Sequence, residues 1–109
     1  MNSKKIRVIF ASDELRMSFE ALEKSEPELF RWISAAMDKL EATPFAGAHL
    51  QRALIPKAYV EKFGIDNLWK LNLPQGWRLM YSVGKDGVNI VSIILEWLPH
   101  KKYERRFGY

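Results

Sequence analysis

The fold is decided by the stretch from Asn67 to Tyr109, which reads NLWKLNLPQGWRLMYSVGKDGVNIVSIILEWLPHKKYERRFGY. It contains three runs rich in β-branched, aromatic and other apolar residues, which are typical of strands. The runs are Asn67–Leu73, Gly76–Gly84 and Val88–Trp97. Pro74 separates the first two runs, and Asp86-Gly87 separates the last two. The stretch therefore predicts two β-hairpins in series, followed by a short basic tail.

The first hairpin has an internal check on its register. A three-residue loop, with Gly76 in a left-handed conformation, brings all the large apolar side chains of both strands to one face. The resulting pairs are Leu73 with Trp77, Leu71 with Leu79, and Trp69 with Tyr81. The opposite face carries Lys70, Asn72, Arg78, Met80 and Ser82. We expect helices to cover the first face and the second face to remain open with its cations.

The second hairpin leaves two registers open. With an odd number of loop residues, Arg78 lies opposite Glu96, and with an even number it lies opposite Leu95. In the first case Arg78 would have a structural ion-pair partner across the sheet.

The residues before Asn67 indicate one strand and three helices. The strand is predicted over Lys5–Ala11, and the helices over Glu14–Lys24, Glu26–Ala42 and Lys57–Phe63. Ser12 and Asp13 offer an N-cap for the first helix, and Ser25–Glu28 has the form of a capping box for the second. The stretch Phe45–Pro56 has no clear period and is predicted to be a connector. The expected fold is α+β: a two-helix hairpin on one face of a mainly antiparallel four-stranded sheet, in the order β-α-α-(short α)-β-β-β.

Composition favours one globular domain over residues 1–109, because 48% of the residues are hydrophobic and 28% are charged. The apolar runs are of strand length, and Met1–Lys5 lacks the apolar core of a secretory signal. We therefore expect a cytoplasmic protein with no membrane partner. The chain has no cysteine, and its histidines, His49 and His100, lack a metal-binding spacing, so no metal or other cofactor is predicted.

The positive charge is concentrated in the second half of the chain. Residues 1–56 carry eight Lys/Arg and eight Asp/Glu, whereas residues 57–109 carry nine and five, which accounts for the net charge of +4. Such a distribution suggests a polyanionic partner, although ordinary solubilising charge would look the same.

Arg78 and Lys70 are candidate phosphate-binding residues on neighbouring strands. The planar guanidinium of Arg78 suits a phosphate, and Lys70 on the same face would add a second charge. A structural ion pair for Arg78 and simple solvation for Lys70 are the alternatives.

The tail carries the other candidate residues. His100 could serve as a general acid or base near neutral pH, or could be a surface histidine or a helix cap. If the tail is helical, His100, Tyr103 and Phe107 share one face. Tyr103 could then donate a hydrogen bond, stack on a base or pack against the sheet edge. The basic residues around them are Lys101, Lys102, Arg105 and Arg106. Cations interleaved with aromatics suit single-stranded nucleic acid, but also suit a solvated helix face. His49 is interpreted as a loop residue.

These residues resemble the RelE/ParE superfamily of toxins. The segments Lys70–Leu73 and Gly76–Val83 are similar to its paired strands, in which a Gly-aromatic-Arg-Leu-x-Tyr strand follows a strand with a basic residue. The segment Ile94–Tyr103 is similar to the last strand and tail of the ribosome-directed members, and the string down to Tyr109 looks most like an archaeal RelE-like branch. The order of elements also resembles that of the family.

The resemblance implies a ribosome-dependent mRNA endonuclease and a small antitoxin partner. In that chemistry Arg78 stabilises the phosphate with help from Lys70, and His100 acts as acid or base. Tyr103 orients the RNA or stacks on one of its bases. Phe107 and Tyr109 compete with Tyr103 for the last role. Residues 55–65 look like an insertion relative to compact members. A ParE-like inhibitor of DNA gyrase and a catalytically silent protein that binds RNA or an antitoxin are the alternatives.

Overall fold

The computed structural model describes residues 5–108 and has an α+β fold. Within this range the chain forms β1 (Ile6–Phe10), α1 (Asp13–Ser25), α2 (Pro27–Ala42), β2 (Ala48–His49), α3 (Lys57–Phe63), β3 (Trp69–Asn72), β4 (Arg78–Asp86), β5 (Asn89–Leu98) and α4 (His100–Phe107). Single 3₁₀ turns lie at Arg52–Leu54 and Pro74–Gly76. Among these helices none is long and apolar enough to cross a bilayer.

The sheet of the described chain has five strands, in the order β1-β5-β4-β3-β2, so the prediction of four strands was wrong. Strand β1 is parallel to β5, and the other pairs are antiparallel. The additional strand, β2, lies in the segment predicted to be an irregular connector, and it pairs Ala48 with Lys70 and His49 with Trp69. Two residues are too few to produce a recognisable alternation of polar and apolar side chains.

The register of the first hairpin is confirmed. Leu71 lies opposite Leu79, and Trp69 lies opposite Tyr81. The amide of Leu73 donates to the carbonyl oxygen of Trp77 at 2.8 Å, which closes the turn. All six predicted side chains contribute to the hydrophobic core on the face covered by α1 and α2.

Strand β3 begins two residues later than predicted because Asn67 pairs with β4 through its side chain instead of its backbone. The amide of Val83 donates to Asn67 Oδ1 at 2.8 Å, and Asn67 Nδ2 donates to the carbonyl oxygen of Val83 at 2.9 Å. The carboxamide thus satisfies the hydrogen-bonding groups that a further strand residue would have satisfied.

The second hairpin differs from both predicted registers. Its loop is Gly87-Val88, since Asp86 pairs with Asn89, and a bulge interrupts β5 at Leu95. Arg78 consequently lies opposite Leu98, with neither Glu96 nor Leu95 as its neighbour across the strand. Loop length alone could not reveal this register, because the bulge adds one residue to β5 only.

The boundaries of α1, α2 and α3 agree with the predictions to within one residue. Ser12 Oγ accepts the amide of Leu15 at 3.1 Å and caps α1 as expected. The predicted capping box is not formed: Ser25 ends α1, where its hydroxyl donates to the carbonyl oxygen of Ala21 at 3.1 Å. Pro27 starts α2, consistent with the absence of a free amide in proline.

The second face of the sheet is covered as well, which corrects the expectation of an open face. Helices α3 and α4 pack there around a second hydrophobic core, made of Tyr59, Leu68, Met80, Leu95, Leu98 and Tyr103. Burial of each large apolar side chain contributes about 1.5–3 kcal/mol, so this core binds α4 to the sheet strongly. The sheet is therefore the middle layer of three, and the predicted site residues lie where α4 meets it.

Candidate functional site

Lys70 and Arg78 both lie against the ring of Tyr103. The Lys70 Nζ is 5.2 Å from the centre of the ring, and the Arg78 Cζ is 5.4 Å from it. The two cations come from adjacent strands, β3 and β4, whereas the ring comes from α4. We call these three residues the cation site. Sequence reasoning placed the cations on one face of the sheet, and the structure adds the aromatic ring to which both lie close.

The guanidinium of Arg78 is only partly satisfied by the protein. Its Nη1 donates to the carbonyl oxygens of Gly76 at 2.7 Å and Trp77 at 3.3 Å. Its Nε is buried without a hydrogen-bond partner among residues 5–108. A buried N–H without a partner costs free energy. Arg78 thus fixes the hairpin turn, and it forms no ion pair with another of the described residues.

Tyr103 is buried, with 3% of its surface exposed. The tail is helical as predicted, and the ring of Tyr103 stacks on that of Phe107 with centroids 4.5 Å apart. At this burial the ring contacts the two cations and offers little of its face to an incoming base. Packing against the sheet therefore fits the geometry of Tyr103 better than base stacking does.

His100 is the first residue of α4, and it is exposed beside the hairpin turn. Its Nε2 contacts a carboxylate oxygen of Glu104, one helical turn further on. Gly76 has φ +81°, and a Cβ at that position would lie 3.0 Å from the Cβ of His100. Because Arg78 binds the carbonyl oxygen of Gly76, the arginine, the turn and the start of α4 form one connected unit.

The four basic residues of the tail fall into two groups. Lys101, Lys102 and Arg105 are exposed on α4. Arg106 instead pairs with Glu96 on β5, with 2.5 Å between Nη1 and Oε2. The bulge brings Glu96 to the face of the sheet that α4 covers, so its carboxylate meets Arg106 and leaves Arg78 without this partner.

Arg106 and Glu96 lie beside the hydroxyl of Tyr59, which is buried between α3 and α4. The Cζ of Arg106 is 5.9 Å from the centre of the Tyr59 ring, and the hydroxyl has no hydrogen bond of good geometry among the described residues. Burial, and secondarily the nearby Glu96 carboxylate, raise the pKa of Tyr59 well above its usual value. This cluster holds α4 in place on the side away from His100.

The segment around β2 is fixed by Tyr81 and Gly47. The hydroxyl of Tyr81 donates to the carbonyl oxygen of Pro44 at 2.9 Å and accepts the amide of Gly47 at 3.0 Å. A Cβ at Gly47 would lie 2.6 Å from the carbonyl oxygen of Lys70, so only glycine allows this approach. Burial raises the pKa of Tyr81, and the amide of Gly47 lowers it by a smaller amount.

This segment forms one wall of a cleft that sequence reasoning missed. The cleft has a volume of about 320 Å³ and lies between β2 and α4; we call it the β2 cleft. Its lining residues are Ala48, His49, Leu50, Gln51, Leu54, Lys70, Tyr103 and Phe107. His49, interpreted as a loop residue, stacks on Trp69 with centroids 4.5 Å apart. No periodic signal in residues 45–56 pointed to the cleft, because it depends on the pairing of β2 with β3.

Comparisons with models of protein families, with curated proteins and with solved structures find no match to this chain. Tyr109, which competed with Tyr103 for the tyrosine role, lies outside the described residues.

Proposed function

We propose that this protein is a RelE-type toxin: a metal-independent endoribonuclease that cuts mRNA on translating ribosomes and represses translation. The observation that supports the proposal most is the cation site, where Lys70 and Arg78 lie over Tyr103 beside the helix that begins at His100. Two cations close to the same ring suit a phosphate, and a histidine one helical turn from that ring suits proton transfer.

The reaction would proceed by attack of an RNA 2′-hydroxyl on the adjacent phosphorus. The O2′–P bond forms, the P–O5′ bond breaks, and the products are a 2′,3′-cyclic phosphate and a free 5′-hydroxyl. One group must take the proton of the 2′-hydroxyl, and another must supply a proton to the leaving O5′. Arg78 and Lys70 would stabilise the charge that develops on the phosphorane oxygens.

His100 would act as acid or base through Nδ1, the ring nitrogen that does not contact Glu104. Its Nε2 contacts Glu104, whereas its Nδ1 has no hydrogen bond to any other residue in the described range. A carboxylate on one ring nitrogen fixes the orientation of the imidazole, as in other acid–base sites. Glu104 would thus be a positioning residue for His100.

The partners in this proposal are mRNA on the ribosome and a small antitoxin protein. The exposed cations of α4, Lys101, Lys102 and Arg105, support both, because they form no ion pair among residues 5–108 and offer positive charge to a polyanion or an acidic segment. The RelE-like arrangement would here carry one extra edge strand, β2, next to the cation site. The predicted cytoplasmic location belongs to the same proposal.

The test is a translation reaction with purified protein, followed by mapping of the mRNA ends. The native protein should cut mRNA within the ribosome-bound region, and Arg78→Ala and His100→Ala should abolish cutting while remaining folded. Arg31→Ala is the matched control, since Arg31 is an exposed cation on α2. Intact mRNA at stoichiometric amounts of native protein would refute the proposal.

A second candidate is a RelE-fold protein that binds RNA or an antitoxin without cutting. The burial of Tyr103 and the engagement of His100 by Glu104 favour it, because both leave fewer groups available for chemistry. It predicts salt-dependent RNA binding with intact mRNA. Arg78→Ala would then weaken binding, whereas His100→Ala would change nothing.

A further inference from the structure

The β2 cleft and the cation site share two residues. Lys70 and Tyr103 belong to the cation site, and they also line the cleft toward β2. A phosphate held by Lys70 would therefore have its neighbouring nucleoside at the opening of the cleft. The cleft volume of about 320 Å³ is at the lower end of the range for small-ligand sites, about 300–1,000 Å³.

The walls of the cleft combine apolar surface with polar groups, as recognition of an unpaired base requires. Leu50, Leu54 and Phe107 supply the apolar part. His49 pairs with Trp69 and stacks on it, so its ring lies on the opposite face of the sheet from Lys70. Gln51 is exposed, and its side chain has no hydrogen bond to another residue of the described chain. A nucleobase has flat apolar faces and polar edges, so it could pack on the apolar side chains and bond to Gln51.

The charge of the lining distinguishes this cleft from its neighbour. The second cleft, of about 470 Å³, lies on the other side of the His49–Gln51 segment and is lined by one carboxylate, Asp66, and one guanidinium, Arg52. The β2 cleft has the cation Lys70 and no acidic residue among its lining residues. The lining charge therefore favours an anionic ligand in the β2 cleft over the other cleft.

We infer that the β2 cleft binds one nucleoside of single-stranded RNA, next to the phosphate held by Lys70 and Arg78. Gln51 contacts the edge of the base and so determines which base is accepted. The inference rests on the proposed RNA substrate, but it does not require the RNA to be cut.

The experiment measures affinity for RNA that cannot react. Labelled 2′-O-methyl homopolymers of A, C, G and U lack the attacking hydroxyl, so anisotropy reports binding alone. The native protein should rank the four bases, and Gln51→Ala should reduce affinity for the preferred base at least about fivefold and flatten the ranking. Arg52→Ala is the control: Arg52 is exposed and lines only the neighbouring cleft, so its loss should weaken all four RNAs equally.

The outcomes separate this inference from the proposed endonuclease. A base ranking that depends on Gln51 supports the cleft even if mRNA in the translation assay stays intact. Binding that depends on Lys70, with affinities unchanged in Gln51→Ala, overturns the inference and leaves the endonuclease standing. Absence of RNA binding by the native protein also overturns the inference, while the endonuclease, which acts on ribosomes, is judged by the translation assay.

Discussion

The guanidinium of Arg78 lies over the ring of Tyr103, with 5.4 Å between Cζ and the ring centroid. This contact joins strand β4 to helix α4, which follows β5 in the chain. Tyr103 thus supports the arginine on which the proposed chemistry depends, and Lys70 lies against the same ring. We expect loss of the Tyr103 ring to impair the function of the site more than loss of its hydroxyl group alone.

Removal of the Tyr103 ring should destabilise the protein and disperse the two cations. We expect Tyr103→Ala to lower the free energy of unfolding by about 3–5 kcal/mol, as for other buried aromatic residues, in urea titrations. Tyr103→Phe keeps the ring and should lose at most about 1.5 kcal/mol, with RNA binding retained. If Tyr103→Phe stayed folded but lost all RNA cutting, the hydroxyl would have a chemical role and the supporting role would be wrong.

Gly76 should be sensitive to substitution for two reasons. Its φ of +81° costs an alanine about 1–2 kcal/mol, and the new Cβ would press on the Cβ of His100 at 3.0 Å. Gly87→Ala is the matched control, because Gly87 has φ +64° with no atom within 4 Å of an added Cβ. We expect thermal or urea unfolding to show a larger loss for Gly76→Ala, and only this variant to impair RNA cutting. Equal losses and equal cutting would show that the turn does not position α4.

The raised pKa of Tyr59 predicts a loss of stability in alkali. The unfolded chain ionises this phenol near the ordinary tyrosine pKa of about 10, whereas the folded chain keeps the proton to higher pH because the hydroxyl is buried beside Glu96. The protonated form thus contributes stability that is complete below about pH 10 and is lost as the pH rises further. Tyr59→Phe should make the free energy of unfolding fall less steeply between about pH 9 and about pH 11. Identical slopes for the variant and the native protein would contradict the burial of the hydroxyl.

The first hairpin could be predicted from sequence because two independent signals agree. Pro74 and Gly76 favour the turn, and the alternation of Trp69 and Leu71 with Lys70 then fixes the register. Helix boundaries were predictable for the same kind of reason: Ser12 and Gly64 act on the backbone of their immediate neighbours. Local chemistry determines these features, so a single sequence suffices.

The second face of the sheet could not be predicted because it depends on the bulge at Leu95. Because β5 is buried on both faces, its apolar residues run almost continuously and the extra residue does not show in the pattern of polar and apolar residues. The bulge sets Glu96 against Arg106 and adds Leu95 to the core beneath α4. The β2 cleft was missed for a similar reason, since it exists only once Ala48 pairs with Lys70 on another strand.

The most direct test of the central claim is the chemistry of the RNA ends left after reaction on translating ribosomes. We predict fragments with a 2′,3′-cyclic phosphate and a 5′-hydroxyl, identified by mass spectrometry, formed by the native protein and by Arg31→Ala but not by Arg78→Ala. Intact RNA in every sample, or ends of the opposite kind with a 5′-phosphate, would contradict the claim that Arg78 and Lys70 stabilise attack by the 2′-hydroxyl.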